Sequence, residues 1–163
     1  MGTGPGTFAN VTNLTTVQTF FHFYGLFFSD ADGDGVEEVF TVSFNHILQY
    51  GVFADDSLAF EGTINEGFNG SINNIATIDL NGDGLRDVLR LSGEEGILYA
   101  YLNNGPQGFA QPVILISFSS SIHQFVLFDM DGDGDQDIII MNPPAMRIYE
   151  NQGNMVFTQV SSA

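Results

Sequence analysis

A nine-residue acidic segment occurs three times in this chain at near-constant spacing, and it restricts the fold more than any other feature. The copies are Asp30–Glu38 (Asp-Ala-Asp-Gly-Asp-Gly-Val-Glu-Glu), Asp79–Asp87 (Asp-Leu-Asn-Gly-Asp-Gly-Leu-Arg-Asp) and Asp129–Asp137 (Asp-Met-Asp-Gly-Asp-Gly-Asp-Gln-Asp). Their first residues lie 49 and then 50 positions apart. Oxygen-bearing side chains stand at positions 1, 3, 5 and 9, and glycine at positions 4 and 6. One Asp/Gly-rich stretch would be an ordinary turn, because both residues favour turns for reasons unrelated to metals. Three copies in register are a different matter, since so many acids packed together repel one another unless a cation sits among them. Hard oxygen donors on a tight, glycine-permitted turn match calcium, which takes six to eight oxygens at about 2.3–2.6 Å.

The EF-hand, the other common home for such acids, does not fit. Its loop ends on a bidentate Glu at position twelve. The residues there are Thr41, Arg90 and Ile140. An EF-hand loop also joins two helices, whereas these loops are flanked by Phe-Tyr-Gly-Leu-Phe-Phe and Val-Phe-Thr-Val, or by Phe-Val-Leu-Phe and Ile-Ile-Ile-Met. Aromatic and β-branched runs bounded by Gly and Asp read as strands. Each loop is therefore expected to join two adjacent strands.

Composition narrows the function classes. With 44% hydrophobic residues and 16 Phe in 163 residues, the chain can bury a core and is not a disordered acidic tail. No apolar run approaches the roughly 20 residues of a membrane-spanning helix, and the opening residues carry no signal-peptide pattern. Cysteine is absent, which removes disulfides and thiol catalysis from consideration. Of the 20 Asp and Glu, 11 stand at the ligand positions of the three loops, so much of the net charge of −17 belongs to the expected metal sites. Only three Lys and Arg are present, which argues against nucleic acid or an anionic membrane as partner.

Alignment on the loops exposes a longer unit. After each loop come a strand, a turn, a second strand and a third that contains an aromatic residue. In the second copy these are Asp87–Ser92, the Gly93–Gly96 turn, Ile97–Leu102 and Gln107–Val113. The third copy has Asp137–Met141, an Asn-Pro-Pro-Ala turn, Met146–Asn151 and Met155–Val160; the first has Val39–Val42, Ile47–Tyr50 and Leu58–Ile64. Four short strands at a period near 50 are the mark of propeller blades. The expectation is an all-β chain of three four-stranded antiparallel blades, forming a single domain. Repeats are placed at about 6–57, 58–105 and 106–153, with a surplus C-terminal strand at 154–160. Phe8 sits in the same context as the strand-ending Phe60, Phe109 and Phe157. Three loops with four ending strands cannot make a standard ring alone, so completion by other copies, as a ring or a fibre, is expected.

The loops, together with Asn103-Asn-Gly-Pro-Gln-Gly-Phe-Ala-Gln-Pro-Val113, resemble the FG-GAP and VCBS repeat family, the calcium-binding propeller blades of integrin α-subunit heads and bacterial surface proteins. The resemblance covers nearly the whole chain. It departs at Glu38, where the family has Asp, and in lacking the Gly-Ala-Pro segment, which favours the VCBS-like branch. It implies three calcium sites. Their ligands would be Asp30, Asp32, Asp34 and Glu38; Asp79, Asn81, Asp83 and Asp87; and Asp129, Asp131, Asp133 and Asp137, with the main-chain oxygens of Val36, Leu85 and Asp135. It also implies a non-enzymatic, extracellular adhesion or self-assembly module. A propeller-type lectin binding glycans on the connectors Thr63–Asn74 and Ser117–His123, and a fragment of a longer integrin-like propeller, are the alternatives. Nothing suggests catalysis: His22, His46 and His123 are scattered, and Glu94-Glu95 reads as a solvated hairpin turn. Asn10, Asn13 and Asn69 match the glycosylation acceptor pattern.

Overall fold

A computed structural model describes residues 23–31, 34–43, 47–54, 57–65 and 72–162. Phe8, Asn10, Asn13, Asn69, His22, His46 and the loop ligand Asp32 lie outside the described residues. Twelve strands alternate with turns: β1 (Phe23–Ser29), β2 (Glu38–Ser43), β3 (Ile47–Ala54), β4 (Ser57–Asn65), β5 (Ile72–Ile78), β6 (Asp87–Ser92), β7 (Ile97–Tyr101), β8 (Val113–Ser117), β9 (Gln124–Phe128), β10 (Asp137–Asn142), β11 (Ala145–Asn151) and β12 (Phe157–Ser162). A single 3-10 turn, Gly105–Gln107, is the only helical element among the described residues.

The strands form three four-stranded antiparallel sheets, β1-β2-β3-β4, β5-β6-β7-β8 and β9-β10-β11-β12, each pairing strands in chain order. No sheet closes on itself. Short turns make this order inevitable, since a strand entering a tight hairpin pairs with its sequence neighbour before any distant one. Irregular register recurs at matching places, between Tyr50 and Gly51, Leu98 and Tyr99, and Ile148 and Tyr149, adding local twist to each outer hairpin. The strand expected as surplus is β12, the fourth strand of the third sheet, paired with β11. The sheets therefore span 23–65, 72–117 and 124–162 rather than the earlier-starting segments expected from the repeats.

The second sheet explains the chain's apolar runs. Every residue of β6 is buried, and so are the last four of β7. Alternation sends their side chains to two opposite faces. Leu89, Leu91, Leu98 and Ala100 face the third sheet, packing with Ile122, Phe125, Ile138 and Ile140. Val88, Tyr99 and Tyr101 face the first sheet, packing with Ala31, Phe40 and Ile64. A sheet buried on both sides has no solvent-facing side, so even the polar residues of β6, Asp87, Arg90 and Ser92, are buried.

The end opposite the acidic loops is drawn tight. The Gly93–Gly96 hairpin accepts hydrogen bonds from the β8–β9 connector, from Phe118 N to Gly96 O and from Ile122 N to Gly93 O, both at 2.8 Å. Gly96 has φ +67°, and a Cβ there would come within 2.3 Å of the Ser120 carbonyl oxygen, so both conformation and space demand glycine.

Candidate metal centre

The three acidic segments are the turns between the first and second strands of each sheet, joining β1 to β2, β5 to β6 and β9 to β10. They stand at one end of the molecule because the sheets are stacked in the same orientation. Each turn is folded by its own carboxylates. In the second loop, Asp79 Oδ1 accepts from Gly82 N (2.7 Å) and Oδ2 from Gly84 N (2.9 Å). In the third, Asp129 accepts from Gly132 N (2.7 Å) and Gly134 N (3.2 Å), and in the first Asp30 Oδ2 accepts from Gly35 N (3.0 Å). Position 5 then takes the amide of position 7: Asp34 from Val36, Asp83 from Leu85 and Asp133 from Asp135, at 2.7–2.9 Å. Asn81 and Asp131, at position 3, each accept from the amide of position 5. The sixth-position glycines, Gly35, Gly84 and Gly134, have φ of +88°, +88° and +99° with nothing within 4 Å of a Cβ. Their requirement is conformational, not steric.

Position 9 behaves differently from the rest. Asp87 and Asp137 are buried, and both oxygens of each are engaged by main-chain donors. Asp87 accepts from Leu80 N and Asn103 N, and Asp137 from Met130 N and Asn151 N, all at 2.8 Å. Glu38, also buried, accepts from Ala31 N. These carboxylates tie the start of the loop, the start of the second strand and the end of the third strand together. Burial pushes the Asp87 carboxyl above the usual carboxylate range; the amides of Asn103 and Leu80 oppose the shift, and the charges of Asp83 and Asp79 add to it. Asp131 is also raised. The Asp133 amide pulls it down, but desolvation and the charges of Asp133, Asp137 and Glu150 together outweigh that bond.

Two observations bear on a cation. Oxygens of Asp129, Asp131 and Asp137 all lie within 4.8 Å of one another. Donors about 2.4 Å from one calcium ion can be no farther apart than about 4.8 Å, so this spacing fits a shared ion. Each oxygen has a second lone pair left after its amide bond. In the first loop, Asp30 Oδ1 is buried and receives no hydrogen bond from the described residues, an arrangement costly for an anion in the absence of a countercharge. The second loop has Asn81 where the others have Asp, and its side-chain amide donates to Asp83 Oδ2 at 2.9 Å.

Sequence reasoning missed two residues that build these sites from outside the loops. Asn103, just beyond β7, donates from Nδ2 to Ala31 O (2.8 Å) and Arg86 O (3.1 Å), bridging the first two loops, and its Oδ1 accepts from Gly105 N (3.0 Å). Asn151, at the end of β11, donates to Gln136 O and accepts from Gly153 N. The Asn-x-Gly shared by the ends of the third strands of the second and third sheets, and missing from the first, was the available signal. Neighbouring loops are also joined by their backbones, Arg86 N to Ala31 O (3.1 Å) and Met155 N to Leu80 O (3.0 Å). Between the second and third loops lies a cavity of about 390 Å³, lined by Asp79, Asn81, Arg86, Asp135, Gln136 and Asn154 among others. On the expected ligand connectors, residues 66–71 lie outside the described residues, and Ser117–His123 forms the exposed turn that grips the Gly93–Gly96 hairpin, with Ile122 buried beneath it.

Stacked four-stranded sheets with an Asp-rich, oxygen-donor turn at the same corner of each define a β-repeat protein. Residues 79–140, from the first aspartate of the second loop into β10, match the model of the FG-GAP-like repeat, so the chain carries an FG-GAP-like repeat. No curated protein sequence matches the chain. Among solved structures, it is similar to an Agrocybe aegerita lectin described as recognising non-reducing terminal N-acetylglucosamine, with a TM-score of 0.63 and 22% identity over 85% of this chain. It is also similar to the V. cholerae biofilm matrix protein Bap1, with a TM-score of 0.49 and 22% identity over 84% of this chain. The chain spans 37% of the lectin and 20% of Bap1. No helix among the described residues is long and apolar enough to cross a membrane.

Proposed function

We propose that each acidic loop binds one calcium ion and that the chain is a calcium-stabilised, non-enzymatic module for adhesion or assembly outside the cell. The observation that carries the metal reading is the shared 4.8 Å span of the Asp129, Asp131 and Asp137 oxygens. The same folding pattern in the other two loops, and the Asp30 oxygen that is buried with no hydrogen bond among the described residues, extend it to three ions. A bound ion supplies positive charge that lets several carboxylates share one turn. The protein supplies the rest: glycines that permit the turn, amides that aim the carboxylates, and a buried ninth residue that anchors the loop to its sheet. Ions held this way pin the sheets' common end, so the role is structural. Millimolar calcium keeps even weak sites filled, which suits an extracellular or surface location. The stacking of three similar sheets supports a partial propeller, completed by further sheets or further copies.

Scanning calorimetry in chelator and then in millimolar calcium tests this reading. Melting should rise by roughly 4–12 °C in calcium, the shift expected for about 2–3 kcal/mol of linked binding in a chain of this size. Superimposable melting curves would remove the metal from the account. Carbohydrate binding is the second reading, favoured by the cavity between the second and third loops. Its walls alternate amides and carboxylates with Arg86, groups suited to hydroxyl-rich ligands. This cavity lies at the loop end and not on the connectors expected from the sequence. A glycan array run with calcium separates the two readings: reproducible hits abolished by Arg86→Ala would make the module a lectin.

A further inference from the structure

The two junctions between neighbouring loops are built differently. At the first, the Ala31 carbonyl accepts from Arg86 N at 3.1 Å and from Asn103 Nδ2 at 2.8 Å. Position 8 of the second loop and the asparagine beyond its third strand thus close onto the loop before. The repeat places Leu80, Gln136 and Asn151 in the same roles at the second junction. There, among the described residues, neither Gln136 N nor the Asn151 side chain bonds Leu80 O. Asn151 Nδ2 donates to Gln136 O instead, and Leu80 O accepts from Met155 N at 3.0 Å. The cavity of about 390 Å³ opens where the closing contacts are missing. The substitute contact also holds the backbone in an unusual shape. Gly153, Asn154 and Met155 are consecutive left-handed residues, at φ +76°, +49° and +64°. Asparagine tolerates that region, whereas methionine rarely adopts it. In the corresponding connector of the second sheet the left-handed positions, Gly105 and Gly108, are both glycine. Met155 is held from two sides, by its amide on Leu80 O and by its side chain against the core cluster that includes Leu80. Strain of this kind persists only where the surroundings over-determine it, and it gathers at ligand sites. Here Gly153 and Asn154 form one wall of the cavity.

From this asymmetry we infer that the second junction is a pocket for one neutral monosaccharide unit, with Arg86 and Asn154 at its mouth determining what it accepts. The inference rests on the carbohydrate reading above and narrows it to one site, one unit and one charge class. Size sets the first limit. A volume of about 390 Å³ is near the lower end of ligand pockets, which run from roughly 300 to 1,000 Å³, and it suits a single ring. Chemistry sets the second. Leu80 and Asn151 lie buried at the floor, while Arg86, Asp135 and Asn154 are exposed. The walls carry the amides of Asn81, Gln136 and Asn154, which donate and accept, beside the acceptors Asp79 and Asp135 and the donor Arg86. A hydroxyl group also donates and accepts, so a ring bearing several can satisfy such walls. An anionic ligand would meet Asp79 and Asp135 in a chain of net charge −17. None of the lining residues is aromatic, so a flat ring or a base finds no stacking surface. Arg86 serves both junctions: its main-chain amide draws the first one shut, and its side chain lines the second. The first junction is accordingly expected to stay empty, leaving one site per chain.

Amide nuclear magnetic resonance of the full chain in calcium, titrated with the methyl glycosides of glucose, galactose and mannose and with glucuronic acid, tests the assignment. At least one neutral glycoside should move the Gly82, Gly134 and Gly153 resonances while Gly35 and Gly105 stay in place, with one molecule bound per chain. Glucuronic acid should bind at least about tenfold more weakly. Asn154→Gly suits the left-handed backbone and removes only the side-chain amide, so it should weaken binding about 3- to 10-fold, the loss of one hydrogen bond. Arg86→Ala should weaken it about tenfold or more, whereas Asn104→Ala, beside the first junction, should leave it unchanged. The shift map of the unsubstituted chain stands whether or not a variant folds. No neutral glycoside bound at about 50 mM would overturn the pocket and the carbohydrate reading together. Binding that moves other resonances, that is unchanged by Asn154→Gly and Arg86→Ala, or that favours glucuronic acid would overturn the pocket and leave the carbohydrate reading standing. The calcium reading is judged by melting and is touched by neither result.

Discussion

Replacing Asp137 with alanine separates what its carboxylate does for the fold from what it does for a metal. In the structure it is buried, and its two oxygens accept from the Met130 and Asn151 amides at 2.8 Å each. A hydrogen bond to a charged acceptor contributes about 1.5–3 kcal/mol, and its loss here strands a main-chain donor without a partner. Two such donors make the cost of Asp137→Ala roughly 3–6 kcal/mol before any metal is considered. At about 2–4 °C per kcal/mol for a chain of this length, melting should fall on the order of 10 °C or more. Asp133 provides the comparison. It is exposed, and its carboxylate accepts a local bond from the Asp135 amide at 2.9 Å, so Asp133→Ala should cost under about 1 kcal/mol in chelator. Both substitutions should shrink the calcium-induced rise in melting temperature, but only Asp137→Ala should be costly without calcium. Calorimetry of the two variants in chelator decides the matter. Equal melting temperatures there would show that the ninth-position carboxylate does not anchor the loop, and the two-layer description of the site would fail.

Two further substitutions probe the frame around the sites. Gly84→Ala should cost about 1–2 kcal/mol, because φ is +88° and the open space around a Cβ leaves backbone strain as the sole penalty; chemical denaturation showing no change would mean the turn relaxes freely. Asn103→Ala removes a side chain bonded to Ala31 O, Arg86 O and Gly105 N, so it should cost roughly 1–3 kcal/mol, against under about 0.5 kcal/mol for the exposed neighbour Asn104→Ala. Equal effects of the two in denaturant titrations would show that the bridge between the first two loops is not stabilising.

The strands on either side of each loop, the Gly93–Gly96 hairpin and the outer strands at Leu58 and Phe157 were legible because each depends on local physics. The ending strand expected at Gln107–Val113 was not, since that stretch holds the 3-10 turn Gly105–Gln107 and an isolated bridge of Phe109 to Asn103, and the fourth strand is β8, Val113–Ser117. Alternation, β-branched runs and glycine at positive φ act within a few residues, and the third copy confirms the first two. The oxygen pattern at positions 1, 3, 5 and 9 was legible for the same reason, since one turn of chain positions all of those groups. Tertiary structure decided what depends on neighbours far away in sequence. The ninth residue has the same identity as the other ligands, yet it is buried because the amide of Asn103 or Asn151, from 14 to 16 residues on, closes over it. Asn103 matters because Ala31, 72 residues earlier, lies within reach of its side chain. The place of β12 was hidden because counting aromatic strand endings cannot tell which end of a repeat supplies the odd strand; hydrogen bonding to β11 can. The open face of the third sheet was hidden too, since Met141 and Leu91 are both apolar residues in equivalent strands. One is exposed and the other buried only because a third sheet follows the second and, among the described residues, none follows the third. Burial is a property of packing partners, and a sequence lists residues without saying which of them will meet.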